Sequence, residues 1–138
     1  MDEIIKLVKE MTGADNVTEN SELENDLGCT GDDFSELMEE YSKKFNVDMS
    51  NYIWYFHHYE EGNSITLNLF GYKSPAETVK QIPVTPKMLY DFSKIGKWNI
   101  EYPEHEIPNN RLANLANQIL LLLIASAIIL ILFLKYYN

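Results

Sequence analysis

A long apolar segment near the end of the chain constrains its architecture more than any other feature. Residues 119–134 contain one polar side chain, Ser126, and extending the segment back to Leu112 gives twenty-three residues. A helix of that length spans about 34 Å, enough to cross the roughly 30 Å hydrocarbon core of a bilayer. A chain of 138 residues is too small to surround such a helix as a buried core. We therefore predict a transmembrane helix over residues 112–134.

The flanks of this segment bear on its orientation. Lys135 and two tyrosines follow it, as residues that anchor a helix at the membrane interface do. Arg111 before it balances Lys135, so positive charge does not decide the orientation. No apolar run follows the acidic start of the chain, so no secretory signal is predicted. We expect a single-pass C-terminal anchor, a tether over residues 103–111 and a cytoplasmic N-terminal domain over residues 1–102.

Charge is distributed unevenly. Residues 1–48 carry fourteen acidic residues against four lysines, a net charge of −10, whereas residues 49–138 sum to zero. This charge argues against a nucleic acid partner, because phosphates require lysine and arginine neighbours. It favours a protein partner with a basic surface, although the same charge could serve solubility alone. A domain this acidic should also be held off an anionic lipid surface.

Apolar spacing predicts two helices in the acidic half. The first covers residues 2–11 and ends before Gly13, and a polar loop over residues 14–26 follows. In the second helix, the residues expected to face inward are Phe34, Leu37, Met38, Tyr41 and Phe45. Two stabilising pairs at i,i+4 spacing are expected on its outer side, Glu39 with Lys43 and Glu40 with Lys44.

The second half of the chain gives a more mixed pattern. Alternating Ile65, Leu67 and Leu69 predict a short strand, and residues 71–83 either return it as a hairpin or remain a loop. We therefore treat residues 62–84 as an insertion or loop. Thr85-Pro86 predicts another helix start, with threonine as N-cap and proline at the first position. The apolar face expected for that helix consists of Met88, Leu89, Phe92 and Ile95, and Gly96 ends it.

Residues with catalytic or metal-binding chemistry are few. His57 and His58 lie near two glutamates, but adjacent histidines point in different directions and no third spaced ligand follows. We interpret them as partly buried or capping imidazoles, and predict no metal. The single cysteine, Cys29, is expected to be a partly buried structural thiol. No arrangement of nucleophile and base or phosphate-binding loop predicts an enzyme.

The segment from Leu27 to Met49 resembles the second helix of acyl carrier proteins. Leu27-Gly28 corresponds to their turn, Thr30-Gly31-Asp32 replaces their Asp-Ser-Leu attachment site, and Glu36-Leu37 and Phe45 fall in register. Tyr55-Phe56, the Thr-Pro helix start and Gly-Lys-Trp further resemble a group of uncharacterised bacterial acyl-carrier-like proteins. The resemblance implies a mainly α, small helix bundle with a short possible β-hairpin insertion, followed here by one transmembrane helix.

The reactive serine of a carrier is missing. Gly31 occupies that position and has no side chain to which a phosphopantetheine cofactor could be joined, so we predict no cofactor. Thr30 carries a hydroxyl one position earlier, but a one-residue shift rotates it by about 100° on a helix. We interpret Thr30 as the helix N-cap, with Asp33 as its capping-box partner.

These observations predict a non-catalytic, membrane-anchored adaptor. Its partner-binding residues are expected to be the acids on the outer side of the second helix, Asp32, Asp33, Glu36 and Glu40. The expected partners are a basic protein surface and the lipid bilayer. The alternative is an atypical acyl carrier for membrane-linked acyl or lipid chemistry, modified at Thr30 or at an attachment residue that the sequence does not identify.

Overall fold

The computed structural model describes residues 1–59 and 73–137, and this part of the chain is mainly helical with no strand. Its α-helices are α1 (Asp2–Thr12), α2 (Gly31–Phe45), α3 (Pro86–Ile95) and α4 (Arg111–Tyr137), with short 3₁₀ helices at Trp54–Phe56 and Pro75–Thr78. Two compact units form: Met1–Glu61 with Pro75–Glu106, here called the helical domain, and Gly62–Ser74 with Ile107–Asn138, here called the α4 unit. The predicted fold class is confirmed.

Helix α1 forms because its apolar residues recur at helical spacing. Ile4, Leu7 and Val8 are buried, while charged residues occupy the outer side. The helix ends at Gly13, whose φ of 68° needs the left-handed region that glycine adopts without strain. The Gly13 N–H donates to the Lys9 carbonyl at 2.9 Å. The predicted first helix is confirmed.

Helix α2 packs its apolar side against α1. Phe34, Leu37 and Tyr41 are fully buried, and the Tyr41 hydroxyl donates to the carbonyl of Leu89 in α3 at 2.7 Å. Burial raises the pKa of Tyr41, so this hydroxyl stays protonated and keeps donating. The two predicted helices of the acidic half therefore share one core with α3.

Helix α3 begins as its sequence predicts. The Thr85 hydroxyl accepts a hydrogen bond from the Met88 N–H at 3.3 Å, and proline occupies the first helical turn. Leu89 is fully buried, but Ile95, predicted to lie on the apolar face, is 59% exposed. Ile95 is the last residue of the helix, and Gly96 ends the helix immediately after it. That part of the prediction is wrong.

The end of α3 is joined to the end of α2 by backbone hydrogen bonds. The Asp48 N–H donates to the Gly96 carbonyl, and the Trp98 N–H donates to the Asp48 carbonyl, both at 2.9 Å. This short bridge places the Trp98 ring in the core, where it is completely buried. Residues beyond α3 therefore complete the helical domain.

The predicted insertion is described only in part. Residues 62–72, which hold the predicted strand, lie outside the described residues. Of the two alternatives for the segment that follows it, the loop is found over residues 73–83, which contain a 3₁₀ helix and no strand.

In the α4 unit, α4 is long and apolar enough to cross a membrane, and none of its most apolar window is buried. Just before it, the Asn110 carboxamide pairs with the backbone of Lys73, accepting from its N–H at 3.2 Å and donating to its carbonyl at 2.7 Å. The predicted apolar helix over residues 112–134 therefore lies within α4.

Candidate functional site

The four predicted partner-binding acids lie on the outer surface of α2. Asp32, Asp33, Glu36 and Glu40 are all exposed, and they remain so because the opposite side of the helix, beginning with Phe34, is buried. Side chains three, four or seven positions apart share one face of a helix. We call these four side chains the acidic face.

The acidic face forms no ion pair within residues 1–59 and 73–137, although the charge of Glu40 interacts with that of Lys43. Lys43 instead binds Glu39 at 2.6 Å, which lowers the pKa of that carboxyl through the hydrogen bond. The predicted Glu39–Lys43 pair is confirmed, whereas the Glu40–Lys44 pair does not form and the Lys44 ammonium lies 5.8 Å from the centre of the Phe45 ring.

A shallow groove of about 360 Å³ lies beside the acidic face, between α1 and α2. Met11 of α1 contributes apolar surface to it, and Glu36, Glu39, Glu40 and Lys43 line the rest. An apolar side chain next to several carboxylates suits a partner segment that combines lysine or arginine with an apolar residue.

The start of α2 holds Gly31 in a conformation that serine would adopt only with strain. Its φ is 55°, in the left-handed region, and the residue is buried. Its N–H donates to the Tyr59 carbonyl at 3.1 Å, and its carbonyl accepts from the Ser35 hydroxyl at 3.2 Å. This position therefore suits a residue without a side chain.

The neighbouring threonine is the N-cap of α2 by position, but its side chain does not cap the helix. The Thr30 hydroxyl points instead to the Glu24 carboxylate at 3.3 Å and to the Tyr59 carbonyl at 3.2 Å. Glu24 also accepts from the Tyr59 N–H at 3.1 Å. The predicted capping box with Asp33 is thus wrong, because residues distant in sequence engage the hydroxyl first.

Cys29 completes this region as an inert thiol. It is 3% exposed, and its pKa is raised to about 11 by burial, with the charges of Asp33 and Glu24 adding to the effect. A thiol with so high a pKa is protonated at neutral pH and a poor nucleophile. The prediction of a structural thiol agrees with this environment, which is more buried than expected.

A second polar cluster lies in the core of the helical domain, around the Tyr102 hydroxyl. This oxygen accepts from the Trp98 indole N–H at 2.8 Å and from the Ile53 N–H at 3.2 Å. It lies 2.7 Å from His57 Nε2, and His57 Nδ1 lies 2.8 Å from the Ile82 carbonyl. We call this the His57 network.

The His57 network determines its own proton positions. Because indole and backbone N–H groups can only donate, the Tyr102 hydroxyl must donate to His57 Nε2. The Ile82 carbonyl can only accept, so His57 Nδ1 carries the ring proton and the imidazole is neutral. Burial lowers the pKa of His57 to about 4, and neighbouring His58 adds to this effect. Each ring nitrogen of His57 therefore forms a hydrogen bond within the helical domain.

His58 is also buried, and its ring stacks on Phe34 with 4.6 Å between ring centres. Across the described residues, no three side chains of histidine, cysteine, aspartate or glutamate converge as metal ligands. The interpretation of both histidines as buried imidazoles agrees with their surroundings.

Sequence reasoning missed three residues that shape these sites: Glu24, Tyr59 and Tyr102. Glu24 and Tyr59 are thirty-five positions apart, and Tyr102 and His57 are forty-five apart. Spacing patterns within one helix carry no signal for such contacts. The dense aromatic composition around residues 52–59 was the one available hint of a packed cluster.

A family comparison covers most of the helical domain. The family described as "Protein of unknown function (DUF1493)" matches residues 2–101, which include α1, α2 and α3 but not α4. Searches of curated proteins and of solved structures find no significant match. Because the match spans well over half of its length, the chain belongs to the DUF1493 family of proteins of unknown function.

Proposed function

We propose that this protein is a membrane-anchored, non-catalytic adaptor whose helical domain is similar to an acyl carrier. In this proposal α4 spans a bilayer, the helical domain lies in the cytoplasm, and the acidic face of α2 binds a basic surface on a protein partner. The start of α2 has Gly31 buried in a left-handed conformation and the Thr30 hydroxyl already bonded, and we call this the closed start of α2. The observation that carries the proposal is this closed start, combined with an acidic face that forms no ion pair with the described residues.

The closed start of α2 argues against carrier chemistry. Gly31 offers no side-chain oxygen for attachment, and its left-handed backbone suits glycine better than serine. Its N–H is already bonded to the Tyr59 carbonyl. Two hydroxyls lie close to Gly31. That of Thr30 is held by Glu24 and by the Tyr59 carbonyl, and that of Ser35 donates to the Gly31 carbonyl at 3.2 Å. An attached phosphodiester would also lie beside the negative charges of Glu24, Asp32 and Asp33, which would repel it.

The acidic face supplies what an adaptor needs. Opposite charges on two proteins accelerate their encounter and select among partners. Ion pairs formed within one surface would weaken that field, and the acidic face forms none with the described residues. The groove beside Met11 offers one apolar contact within the same surface.

The proposal is tested by capturing partners with the tagged full chain from detergent-solubilised native membranes. One variant carries Asp33→Lys, Glu36→Lys and Glu40→Lys. The control carries the same change in charge at exposed acids elsewhere, Asp15→Lys, Glu19→Lys and Glu101→Lys. We expect a partner that is retained by the wild type and the control, is lost from the α2 variant, and is released by salt.

Equal retention of every captured protein by the α2 variant and the control would contradict the adaptor proposal. Circular dichroism of both variants shows whether the helical domain still folds. Substitution of exposed residues away from structural contacts changes stability by about 0.5 kcal/mol or less, so folding should survive in both.

A further inference from the structure

The exposed charge of the helical domain reverses sign around α3. Residues 75–97 carry four lysines, Lys80, Lys87, Lys94 and Lys97, against two acidic residues, Glu77 and Asp91. All four lysines are exposed. Residues 1–48, by contrast, carry a net charge of −10. The segment around α3 is therefore basic, although acidic segments lie next to it. Asp2 and Glu3 line the same groove as Lys94, and the Glu19 carbonyl accepts a hydrogen bond from the Lys87 N–H at 2.8 Å.

These lysines are not neutralised by ion pairs. Among the described residues, the ion pairs found are Lys6–Glu10 and Lys43–Glu39, both on α1 and α2. Lys94 lies over the Tyr90 ring, 4.7 Å from its centre, which leaves its charge in place. Lys97 contributes less than the others, because the Asp48 carboxylate lies close enough for the two charges to interact.

Helical spacing puts two of the lysines on one face. Lys87 and Lys94 are seven positions apart, and seven residues are almost two complete turns. Next to Lys94 is Ile95, which is 59% exposed, the most exposed large apolar side chain in the described part of the helical domain. Lysines beside an exposed isoleucine are the composition with which proteins contact the headgroup layer of an anionic membrane. We call Lys87, Lys94 and Ile95 of α3, together with the exposed Lys80 in the segment before the helix, the α3 basic face.

The chain itself brings a membrane within reach of this face if α4 spans a bilayer. Residues 107–110 lie between Glu106, the last residue of the helical domain, and Arg111, the first residue of α4, and four residues reach at most about 14 Å. A short tether holds the domain at a high effective concentration near lipid, so contacts that are weak individually become populated. Anionic headgroups attract lysine within about one Debye length, roughly 8 Å at physiological salt.

We infer that the α3 basic face docks on the anionic headgroups of the membrane that holds α4, which leaves the acidic face of α2 available to a soluble partner. The inference rests on the membrane anchorage in the proposed function and is independent of the acidic face. The ligand is the phosphate-bearing surface of a lipid bilayer, which lysine recognises by charge and into which Ile95 inserts. Asp91, between Lys87 and Lys94, limits the attraction, and the net acidity of residues 1–48 by itself favours separation from an anionic surface. The docking is therefore weak and reversible, and it holds the acidic residues away from the lipid.

The inference is tested with the full chain reconstituted into vesicles whose lipids carry a quencher in the headgroup. A fluorophore is attached to a cysteine introduced by Asp91→Cys on the α3 basic face, or by Glu40→Cys on α2. The native Cys29 is 3% exposed and does not compete for the label. Vesicles contain phosphatidylcholine alone, or phosphatidylcholine with about one third phosphatidylserine.

We expect quenching at position 91 to be severalfold stronger than at position 40 in the phosphatidylserine vesicles. The difference should shrink in phosphatidylcholine alone and in about 0.5 M salt. The difference in quenching should vanish in a variant that combines Lys80→Glu, Lys87→Glu and Lys94→Glu. It should persist in the matched control Lys6→Glu, Lys9→Glu, Lys43→Glu, which makes the same change in charge on α1 and α2.

Equal quenching at the two positions, or quenching unaffected by the α3 charge reversal, would overturn the inference. Quenching that depends on the number of chains in each vesicle and not on phosphatidylserine would overturn it in favour of contact between copies. Failure of the chain to float with vesicles would instead contradict the anchorage in the proposed function. Partner capture by the acidic face is measured separately, so the proposals fail in distinguishable ways.

Discussion

The helical domain contains two polar regions that treat their charges and hydrogen bonds in opposite ways. In the His57 network, both imidazole nitrogens and the Tyr102 hydroxyl are fully occupied, and the ring is 1% exposed. On the acidic face of α2, the carboxylates are exposed and form no ion pair with the described residues. One region completes its interactions within the fold, and the other leaves them to solvent or a partner.

Under the proposed function, the His57 network serves stability and the acidic face serves recognition. A histidine suggests catalysis by its chemistry, but His57 is held neutral by donors and acceptors that fix its tautomer. An acidic stripe suggests only solubility, yet its exposed charge is what a basic partner can use. We therefore expect changes in the His57 network to alter stability strongly and partner binding little. Changes in the acidic face should alter partner binding strongly and stability little.

The largest effect is expected from Tyr102→Phe. Removing this hydroxyl leaves the Trp98 N–H, the Ile53 N–H and His57 Nε2 without their partner in a buried site, which we expect to lower the free energy of unfolding by about 2–4 kcal/mol. Urea titration of the full chain in detergent, followed by tryptophan fluorescence, measures it. The control is Tyr55→Phe, whose hydroxyl bonds to exposed His105. Equal losses of unfolding free energy in the two variants would show that the buried Tyr102 hydroxyl contributes no more to stability than the Tyr55 hydroxyl.

The next largest effect is expected in the pH dependence of the free energy of unfolding, which His57 causes. Its pKa is lowered from 6.5 to about 4 in the folded protein, so between these values the unfolded chain binds the proton more readily. The stabilisation is complete above pH 6.5 and is lost as the pH falls towards 4, amounting to about 3 kcal/mol. An NMR titration of the ring in detergent micelles should give a midpoint near 4. A midpoint near 6.5 would mean that the ring is solvated.

A smaller loss of stability is expected from Gly31→Ser, which introduces at the start of α2 the hydroxyl that an acyl carrier would need. The left-handed φ of 55° should cost about 1–2 kcal/mol for any residue with a β-carbon. Gly31→Ala is the control, since it carries the same strain without the hydroxyl. Both variants should lose similar stability in thermal unfolding. A serine variant as stable as the wild type would show that this turn tolerates a carrier serine.

The smallest effect on stability is expected on the acidic face. Asp33→Asn, Glu36→Gln and Glu40→Gln together should change the free energy of unfolding by about 0.5 kcal/mol or less, because the carboxylates are exposed and form no ion pair with the described residues. The same variant should weaken partner capture and reduce its sensitivity to salt. Strong destabilisation without loss of capture would invert the comparison between the two regions.

The sequence predicts the helices better than it predicts the closed start of α2 or the His57 network. Helix α3 follows from Thr85-Pro86 and Gly96, and the buried side of α2 follows from the spacing of Phe34 and Tyr41, because such signals lie within one helix. Ile95 was assigned to the core by spacing alone, although the helix ends at that residue. The acidic face was predicted because exposed charges at regular spacing need no tertiary partner.

The closed start of α2 and the His57 network were not predictable in the same way. Each depends on backbone and side chains that meet only after folding, such as the Tyr59 carbonyl with Gly31 and the Tyr102 hydroxyl with His57. The capping box predicted at Thr30 failed for this reason, since Glu24 and Tyr59 engage the hydroxyl. Local propensity is overridden where a tertiary contact satisfies the same polar group.

The most direct test of the central claim is the intact mass of the full chain purified from the cells that naturally express it, followed by digestion and mapping of the peptide that contains Thr30 and Gly31. We expect an unmodified peptide, because Gly31 has no side-chain attachment atom and the Thr30 hydroxyl is already bonded. A gain of about 340 Da on that peptide, the mass of a phosphopantetheine group, would contradict it and establish the chain as an acyl carrier.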